Sequence, residues 1–301
     1  MPPLISIILL NYKARQDTLD CLASLRHLTY ANVHILVLDN NSGDGLEEAI
    51  HANYPQVDFI QTGANLGFTG GNNIGIRKAL EKGADYILLL NNDTIVAPDF
   101  LNEMIHVMDS DPTIGIAGPM IYYYANPDQI WSAGGAIDWR NGTTRMIGLN
   151  EMDKSQFGSA PFQVDFVSGC ALMARRSIWE KAGLLDDQFF MYYEETEWCV
   201  RAQTGGNRAL LIPTAMIWHK ISIQDRAASP RTYYYMTRNR FLFLKKTRAS
   251  LSTWVKVWIE YIRTFLSWSL KPKWRDQRPL RGMMLRAIGD YLRGRFGATA
   301  L

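Results

Sequence analysis

The first 110 residues alternate between short apolar runs and segments whose leucines and alanines fall on one side of a helix. The apolar runs cover residues 4–10, 35–38, 57–60 and 86–90, and the helical segments cover residues 16–28, 46–53 and 72–82. Strands that are apolar on both faces are typical of a parallel sheet whose strands are connected by helices. The alternation therefore predicts βαβ units and a Rossmann-like α/β fold, with a mostly parallel sheet flanked by helices.

Beyond residue 114 the pattern is less regular. Gly134-Gly135 and Asn141-Gly142 indicate a hairpin or a long loop. Strands are predicted in residues 164–174 and 209–212, and a short helix in residues 194–203 that ends before Gly205.

Charge is distributed unevenly between two parts of the chain. The 301 residues carry a net charge of +3, but residues 1–225 hold 15 basic and 26 acidic residues, whereas residues 226–301 hold 17 and 3. Such asymmetry indicates different partners for the two parts. We therefore expect an acidic domain in residues 1–225 and a basic, Trp-rich helical region in residues 226–301. No nucleic-acid recognition motif accompanies the basic residues, so nucleic acid is not an expected partner.

The basic region contains an amphipathic segment at residues 251–268. Its three charged residues, Lys256, Glu260 and Arg263, fall on one stripe of a helix, and its tryptophans fall on the remaining faces. Tryptophan together with nearby lysine and arginine is typical of helices that lie in a membrane interface. Packing against the main domain, or against a second copy of the chain in a homo-oligomer, is the alternative.

Cysteine usage and the N-terminus bear on the compartment. The three cysteines have no zinc or disulfide spacing, which favours a reducing compartment. The apolar run at residues 4–10 is too short for a signal sequence or a membrane span. We expect a cytoplasmic protein at the inner face of the membrane.

Polar side chains follow three of the predicted strands. Asn11 and Tyr12 follow the first, Asp39 the second, and Asn92 and Asp93 the fourth. Ligands of open α/β sheets bind beyond the carboxyl ends of the strands, so these residues are candidates for a ligand site. Each of them taken alone is also an ordinary turn or cap residue.

The segment 65–73 is a glycine-rich turn that leads into a helix. It includes Asn65, Gly67 and Asn72, and such a turn allows a ligand to approach the backbone closely. The segment matches neither the dinucleotide fingerprint nor a P-loop, which disfavours nicotinamide and ATP-hydrolysis chemistry.

Asp93 and His219 are candidate ligands for a divalent metal. A hard cation such as Mg²⁺ needs one or two carboxylates together with phosphates and water, which a carboxylate at a strand end can supply. His219 follows another apolar run. An ordinary buried histidine is the alternative interpretation.

Residues 189–198 combine three carboxylates with five aromatic side chains. Desolvation by aromatic surroundings raises the pKa of a carboxylate and makes it a better base, so Glu194 and Glu195 are candidate catalytic residues. The alternative is that these glutamates only stabilise the first turn of a helix. Tyr192, Trp198 and Trp131 are candidates for contact with an acceptor.

These segments together resemble the family-2 inverting glycosyltransferases, which have the A-type nucleotide-binding fold, and within them the bacterial rhamnosyltransferases. The matching segments are residues 7–12, 37–45, 65–72, 89–94, 167–175, 189–201, 215–219 and 233–240. The resemblance implies transfer from a nucleotide-diphosphate sugar to an acceptor hydroxyl on a lipid-linked or cell-envelope glycan. A dTDP-rhamnose donor is the expectation, with UDP-hexoses as competitors.

The resemblance also assigns roles to individual residues. Glu195 would be the general base, with Glu194 as its substitute, and Asp93 with His219 would hold Mg²⁺ or Mn²⁺ at the diphosphate. Nucleotide-sugar contacts are implied for Asn11, Tyr12, Asp39, Asn65, Gly67, Asn72 and Asn92, and the mechanism suggests that Arg238 stabilises the leaving diphosphate. Two departures stand out, because the metal motif reads Asn91-Asn92-Asp93 and the base position holds glutamate where aspartate is usual.

Two other functions fit the same class of fold. A sugar nucleotidylyltransferase would need a glycine-rich basic loop after the first strand, where Asn11, Tyr12 and Lys13 stand instead. A non-catalytic glycan-binding module would not need the carboxylates at 39, 93 and 195.

Overall fold

The computed structural model describes residues 2–221 and 229–300. A central sheet of ten strands forms the middle layer of the molecule. Its strands are β1 (Ile5–Asn11), β2 (Val33–Asp39), β3 (Asp58–Gln61), β4 (Tyr86–Asn91), β5 (Thr94–Val96), β6 (Ile114–Tyr123), β7 (Ile130–Ser132), β10 (Phe162–Gln163), β11 (Ala171–Arg175) and β12 (Arg208–His219). The strands β8 (Gly135–Asp138) and β9 (Thr143–Met146) form a separate hairpin.

The direction in which strands are added to the sheet reverses at β1. The sheet runs β10-β12-β6-β11-β4-β1-β2-β3, with β5 paired to β12 and β7 paired to β6. Strands β3, β2, β1 and β4 are parallel, β6 and β12 are parallel to each other, and β11 runs antiparallel between β4 and β6. Strand β2 lies on one side of β1 and strand β4 lies on the other. In α/β sheets such a reversal opens a ligand crevice at the carboxyl ends of the strands.

Nine α-helices lie in the described ranges. They are α1 (Arg15–Leu25), α2 (Leu46–Asn53), α3 (Gly67–Glu81), α4 (Phe100–Ser110), α5 (Arg176–Ala182), α6 (Glu194–Gln203), α7 (Pro230–Lys246), α8 (Leu251–Leu270) and α9 (Leu280–Leu292). Alternate residues of β1 are buried on opposite faces of the sheet: Ile8 joins the core that contains Ile76 of α3, whereas Ile7 joins the core that contains Leu22 of α1. Both faces of the parallel strands are therefore covered, which explains their continuous apolar runs.

The predicted α/β fold is confirmed, with helices on both faces and a helical C-terminal part. The helices predicted at 46–53 and 194–203 have the predicted bounds, and the glycine-punctuated stretch is the β8–β9 hairpin. The strand predicted at 164–174 is shorter, because regular pairing begins only at Ala171, where the chain inserts between β4 and β6. A second correction concerns the glycine-rich segment, which is the start of α3 and not a turn before it.

The C-terminal helices continue the main core. Ser229 and Ser250 cap α7 and α8 by accepting hydrogen bonds from the backbone N–H groups of Thr232 and Thr253. Residues 241–244 of α7 are fully buried and belong to the same hydrophobic cluster as the central sheet. The boundary predicted at residue 225 lies outside the described residues. Among the described helices, none combines the length and the apolar character that crossing a membrane requires.

The aromatic side of α8 packs inward. Phe241 of α7 contacts the rings of Trp254, Trp258 and Tyr261, at centroid distances of 6.1, 4.8 and 5.0 Å. A membrane interface was the first interpretation of this tryptophan-bearing side, and the structure shows the alternative, because the side packs against α7. The large hydrophobic side chains that α8 exposes are aliphatic.

Candidate active site

Asn11, Asp39 and Asn92 meet at the carboxyl edge of the sheet. Asn11 and Asp39 are partners in the β1–β2 register, and the Asn11 side-chain amide donates to Asp39 Oδ1 at 2.7 Å. The Asn92 amide donates to Asn11 Oδ1 at 3.2 Å and to the Thr18 hydroxyl at 2.8 Å. The expectation that the polar strand ends lie together is therefore correct for these three residues. Tyr12 stands beside them with 43% of its surface exposed.

Asp39 is buried but ionised. Its carboxylate accepts hydrogen bonds from the Asn11 amide, from the backbone N–H and hydroxyl of Ser42, and from the Gln61 amide. Burial alone would raise the pKa of Asp39, but these donors outweigh it and hold the pKa below its usual value. Two oxygens have about four acceptor positions, so the surrounding protein fills all of them. A donor group of a ligand must therefore displace one protein donor, and Gln61 is an exposed one.

Asp93 and His219 form a pair at the neighbouring strand ends. Pairing of β12 with β5 brings His219 opposite Thr94, and Asp93 Oδ1 lies 3.1 Å from His219 Nε2. A third of the Asp93 side chain is exposed, whereas His219 is buried with the Trp131 ring edge-on at 4.8 Å. Trp131, predicted as an acceptor contact, is thus placed against the histidine and is 7% exposed.

The charges of this pair support each other. Burial alone would raise the pKa of Asp93, but the hydrogen bond from His219 and its charge lower it below the usual value. Burial alone would lower the pKa of His219, but Cys170 and Asp93 outweigh burial and raise it to about 10. Each member of the pair therefore favours the charged form of the other.

The same pair fits a divalent cation only as a two-ligand site. Residues 2–221 and 229–300 contain no cluster of three or more His, Cys, Asp or Glu side chains arranged for a metal. Asp93 and His219 offer one carboxylate oxygen and one imidazole nitrogen within 3.1 Å of each other. Mg²⁺ and Mn²⁺ commonly take few protein ligands and complete their coordination with phosphate and water, so the pair suits such an ion beside a diphosphate.

The glycines of α3 serve packing. A Cβ at Gly71 would lie 2.4 Å from the Leu10 side chain, and a Cβ at Gly75 would lie 2.6 Å from Ile8, so both positions bring the helix close to β1. Gly67 has a φ of +72°, and a Cβ there would meet the backbone oxygen of Phe190 at 2.5 Å. The close approach predicted for this segment is therefore an approach to the sheet and to the chain that precedes α6.

The amides near the start of α3 have local partners. Asn65 Oδ1 accepts from the Gly67 backbone N–H at 3.0 Å, and the Asn72 amide donates to the Phe68 carbonyl at 2.9 Å. Sequence reasoning missed two further amides. Asn40 donates to the Gly67 carbonyl at 3.0 Å, and Asn73 binds both the N–H and the carbonyl of Leu185. The available sequence signal for these two asparagines was their position directly after the predicted residues Asp39 and Asn72.

Glu194 and Glu195 open α6 in an apolar environment. One carboxylate oxygen of each, Oε2, is buried without a hydrogen-bond partner in the described chain. Burial raises the pKa of both carboxyls, and the neighbouring charge of Glu195 raises that of Glu194 further. A Cβ at Gly169 would lie 3.5 Å from Cβ of Glu195, and the next residue, Cys170, accepts a backbone hydrogen bond from Asn91. The segment 169–170 thus connects the surroundings of Glu195 to the end of β4.

Two predicted site residues are placed in the interior. Trp198 is fully buried, stacks on Trp179 at 3.9 Å and donates its indole N–H to the Gly183 carbonyl, so its ring is not available to an acceptor. Arg238 is also fully buried, and its guanidinium donates to backbone carbonyls instead of facing the strand ends. Tyr192 is half-buried, with its hydroxyl 3.5 Å from that of Thr232.

The family profile described as Glycosyl transferase family 2 matches residues 6–182, which is more than half of the chain. The chain belongs to glycosyl transferase family 2. The matched range includes Asn11, Asp39 and Asp93, and it ends before Glu194 and Glu195. This family member is therefore a glycosyltransferase, and the resemblance found from the ordered motifs is confirmed.

Two curated relatives of this family-2 transferase are rhamnosyltransferases. The dTDP-rhamnosyl transferase RfbF of Shigella flexneri is 28% identical over 252 residues, which cover 81% of each chain. The N-acetylglucosaminyl-diphospho-decaprenol L-rhamnosyltransferase of Mycobacterium tuberculosis is 27% identical over 240 residues, covering 73% of this chain and 76% of the relative.

The fold also matches a solved structure. The mannosyltransferase PcManGT of Pyrobaculum calidifontis, in complex with GDP-Man and Mn²⁺, superposes with a TM-score of 0.58 at 12% identity, covering 97% of this chain and 88% of that one. This likeness supports the A-type transferase fold that the sequence predicted.

Proposed function

We propose that this family-2 glycosyltransferase transfers L-rhamnose from dTDP-rhamnose, with inversion, to a hydroxyl of a lipid-linked or cell-envelope glycan. The observation that carries the proposal is the Asn11–Asp39–Asn92 cluster at the carboxyl ends of β1, β2 and β4, with the Asp93–His219 pair directly after β4. The segment 169–170 connects the end of β4 to the surroundings of the buried Glu194–Glu195 pair. The rhamnosyl donor is favoured because RfbF and the mycobacterial relative carry rhamnosyl transfer in their names.

Glu195 is the proposed general base. It accepts the proton of the acceptor hydroxyl while that oxygen bonds to the anomeric carbon, and the bond from this carbon to the diphosphate oxygen breaks with its electron pair going to the nucleoside diphosphate. A raised pKa supports the role, because a carboxylate whose pKa lies nearer the working pH is a stronger base. Attack opposite the leaving group inverts the anomeric centre without a carboxylate nucleophile.

Glu194 is proposed to remain protonated beside Glu195. Its carboxyl is almost completely buried and has the Glu195 charge as a neighbour, and both effects favour the neutral acid. Two adjacent anionic carboxylates in a desolvated site would repel each other. A neutral Glu194 therefore leaves Glu195 as the member of the pair that ionises.

The donor is proposed to bind across the ends of β1 and β2. Asp39 is suited to the nucleoside base, whose N–H would replace the exposed Gln61 amide as a donor to the carboxylate. Tyr12 and Asn92 flank this position from the ends of β1 and β4. The start of α3 is proposed to shape the pocket through its backbone, at Asn65, Gly67 and Asn72. The side chains of Asn65 and Asn72 and the backbone N–H of Gly67 already have local hydrogen-bond partners.

Asp93 and His219 are proposed to hold Mg²⁺ or Mn²⁺ at the diphosphate. When bound, the ion would offset the negative charge that accumulates on the leaving group. Asp93 is the more exposed of the two, and the Trp131 ring contacts His219 edge-on.

Contact with the membrane is proposed to come from the exposed side of α8. Six aliphatic side chains, spaced three or four residues apart along the whole helix, are 49–80% exposed: Leu251, Val255, Ile259, Ile262, Leu266 and Leu270. By helical geometry Lys256 and Arg263 border this aliphatic stripe, and Lys273 and Arg275 follow the helix. An apolar stripe bordered by cations suits an anionic bilayer surface, where a lipid-linked acceptor would be presented. Two copies joined through the stripe would instead bring their cations together.

The reaction is tested with Glu195→Gln and a panel of dTDP- and UDP-sugars. We expect the variant to lose transfer by about 10²–10⁴-fold, since the base is missing, while its affinity for the donor stays near the wild-type value. The measurement is release of nucleoside diphosphate together with glycosylated lipid-linked acceptor. Retained turnover by Glu195→Gln would show that the base is a different residue, and turnover with UDP-hexoses but not dTDP-rhamnose would replace the proposed donor.

A further inference from the structure

The backbone that leads into α6 is held in an unfavourable conformation. Phe190, Tyr192 and Tyr193 have φ angles of +67°, +68° and +74°, and Glu194 follows directly. For residues other than glycine and asparagine the left-handed region costs roughly 1–2 kcal/mol each, because Cβ crowds the backbone. Three bulky aromatic residues in this region within four positions require surroundings that hold them there.

The side-chain amide of Asn239 in α7 contacts three backbone carbonyls of this segment. Its side-chain nitrogen lies 2.9 Å from the Phe189 carbonyl oxygen, 2.8 Å from that of Met191 and 2.9 Å from that of Tyr192. The left-handed residues turn these three carbonyls toward one point. Because Asn239 is fully buried, no water is available to replace the amide.

Arg238 completes the arrangement from the same turn of α7. Its Nε donates to Asn239 Oδ1 at 3.0 Å, which orients the asparagine amide, and its Nη2 donates to the Phe189 carbonyl at 3.1 Å. Its remaining contacts include the Gly297 carbonyl at 2.8 Å and the face of the Tyr235 ring at 5.0 Å. The hydrogen-bond acceptors of this buried guanidinium in the described chain are uncharged.

We propose that Arg238 and Asn239 are positioning residues for sugar transfer, and that they aim the Glu195 carboxylate by fixing the backbone of residues 188–192. This inference rests on the proposed function, in which Glu195 is the base. The same segment also accepts a hydrogen bond from the backbone N–H of Thr69 in α3 through Phe190, so it connects the donor side of the site to α7. A guanidinium that is committed to carbonyls in this way cannot contact the diphosphate.

The test compares Asn239→Ala with Arg240→Gln in the full-length chain. Arg240 lies on the same helix, is 7% exposed and donates to the carbonyls of Asn141 and Gly142 and to the Glu260 carboxylate, so it holds a different loop and α8. We expect Asn239→Ala to lower kcat by about 10- to 100-fold, because displacing the base by about 1 Å costs that much, while donor affinity stays within about twofold. Arg240→Gln should lower the melting temperature and leave kcat of the folded enzyme near wild type.

Two further variants separate the possible outcomes. Asn239→Gln keeps the amide one methylene away, so it should fold and lose less of kcat than the alanine variant does. The double variant Glu195→Gln/Asn239→Ala should be no slower than Glu195→Gln alone, because a positioning residue has no effect once the base is gone. An additive loss, or a kcat that changes no more in Asn239→Ala than in Arg240→Gln, would overturn the inference. Turnover that survives in Glu195→Gln would instead refute the proposed base, and loss of donor affinity in Asn239→Ala would show a donor contact.

Discussion

Removing two aliphatic side chains from the exposed stripe of α8 should weaken membrane binding without affecting the fold. Ile259 and Ile262 lie in the middle of the stripe and are 49% and 57% exposed. Burying a whole isoleucine side chain contributes about 1.5–3 kcal/mol, so transferring about half of each into the membrane interface contributes about 1.5–3 kcal/mol for the pair. At about 1.4 kcal/mol per factor of ten, Ile259→Ser/Ile262→Ser should lower the partition coefficient roughly 10- to 150-fold.

The assay is co-sedimentation with vesicles that contain phosphatidylglycerol, compared with vesicles of phosphatidylcholine alone. Salt should weaken binding to the anionic vesicles, because it screens the attraction of the basic residues beside the stripe. Met152→Ser is the matched control, since Met152 is 52% exposed but lies outside the C-terminal helices. Its vesicle binding and its melting temperature should both stay at the wild-type value.

Equal vesicle binding by the double variant and the wild type would refute this reasoning. If the wild type were dimeric by light scattering and the double variant monomeric, with vesicle binding unchanged, the stripe would be an interface between two copies. Equal binding of the wild type to both kinds of vesicle would show that the basic border adds nothing.

Three further predictions concern the site. Because burial raises the pKa of Glu195, kcat/KM should fall as the pH is lowered through a value above 4.5. A raised pKa in the folded state also means that the free energy of unfolding decreases as the pH rises. Glu195→Gln should therefore melt at a higher temperature than wild type at pH 8, with a difference that shrinks toward pH 4.5. In urea titrations, Gly67→Ala should destabilise the fold by about 1–3 kcal/mol more than Gly63→Ala does. Both glycines have a positive φ, but only a Cβ at Gly67 would meet the Phe190 backbone. Equal losses of unfolding free energy in the two variants would refute that contact. Asp93→Asn should raise the Mn²⁺ concentration needed for half-maximal transfer by at least tenfold, and an unchanged metal requirement would exclude Asp93 as a ligand.

Much of the fold was predictable because it depends on short-range patterns. The period of the apolar residues in the first 110 positions predicted the strands and helices, and the crossover rules then predicted a parallel sheet with its polar strand ends together. The contact between Asn11 and Asp39 follows from that reasoning, since parallel neighbours end at the same edge. The start of α3 was misassigned because glycine usually indicates a turn, whereas here glycine allows close packing of a helix on β1.

The candidate site was predicted only in part. The carboxylates were found because charged residues are conspicuous in apolar surroundings, but Asn239 has no such signal, since one asparagine in a helix is unremarkable. Arg238 was assigned to the diphosphate because arginine commonly binds phosphate, and the sequence does not reveal that the backbone oxygens of Phe189 and Gly297 lie within its reach. Trp198 was assigned to an acceptor for a similar reason, although Trp179 stacks on it in the core.

The sequence by itself determined the sheet, the polar edge at the strand ends, and the membership of a family of sugar transferases, because each of these depends on residue types at short, regular spacings. The tertiary structure decided which side of α8 is buried, which partners Arg238 takes, and how the aromatic segment before Glu194 is held in left-handed conformations. These features depend on contacts that α7 makes with α8 and with the segment before α6, which lies about 50 residues away in the sequence. Such contacts form only when packing has brought the segments together, so no local pattern of residues predicts them.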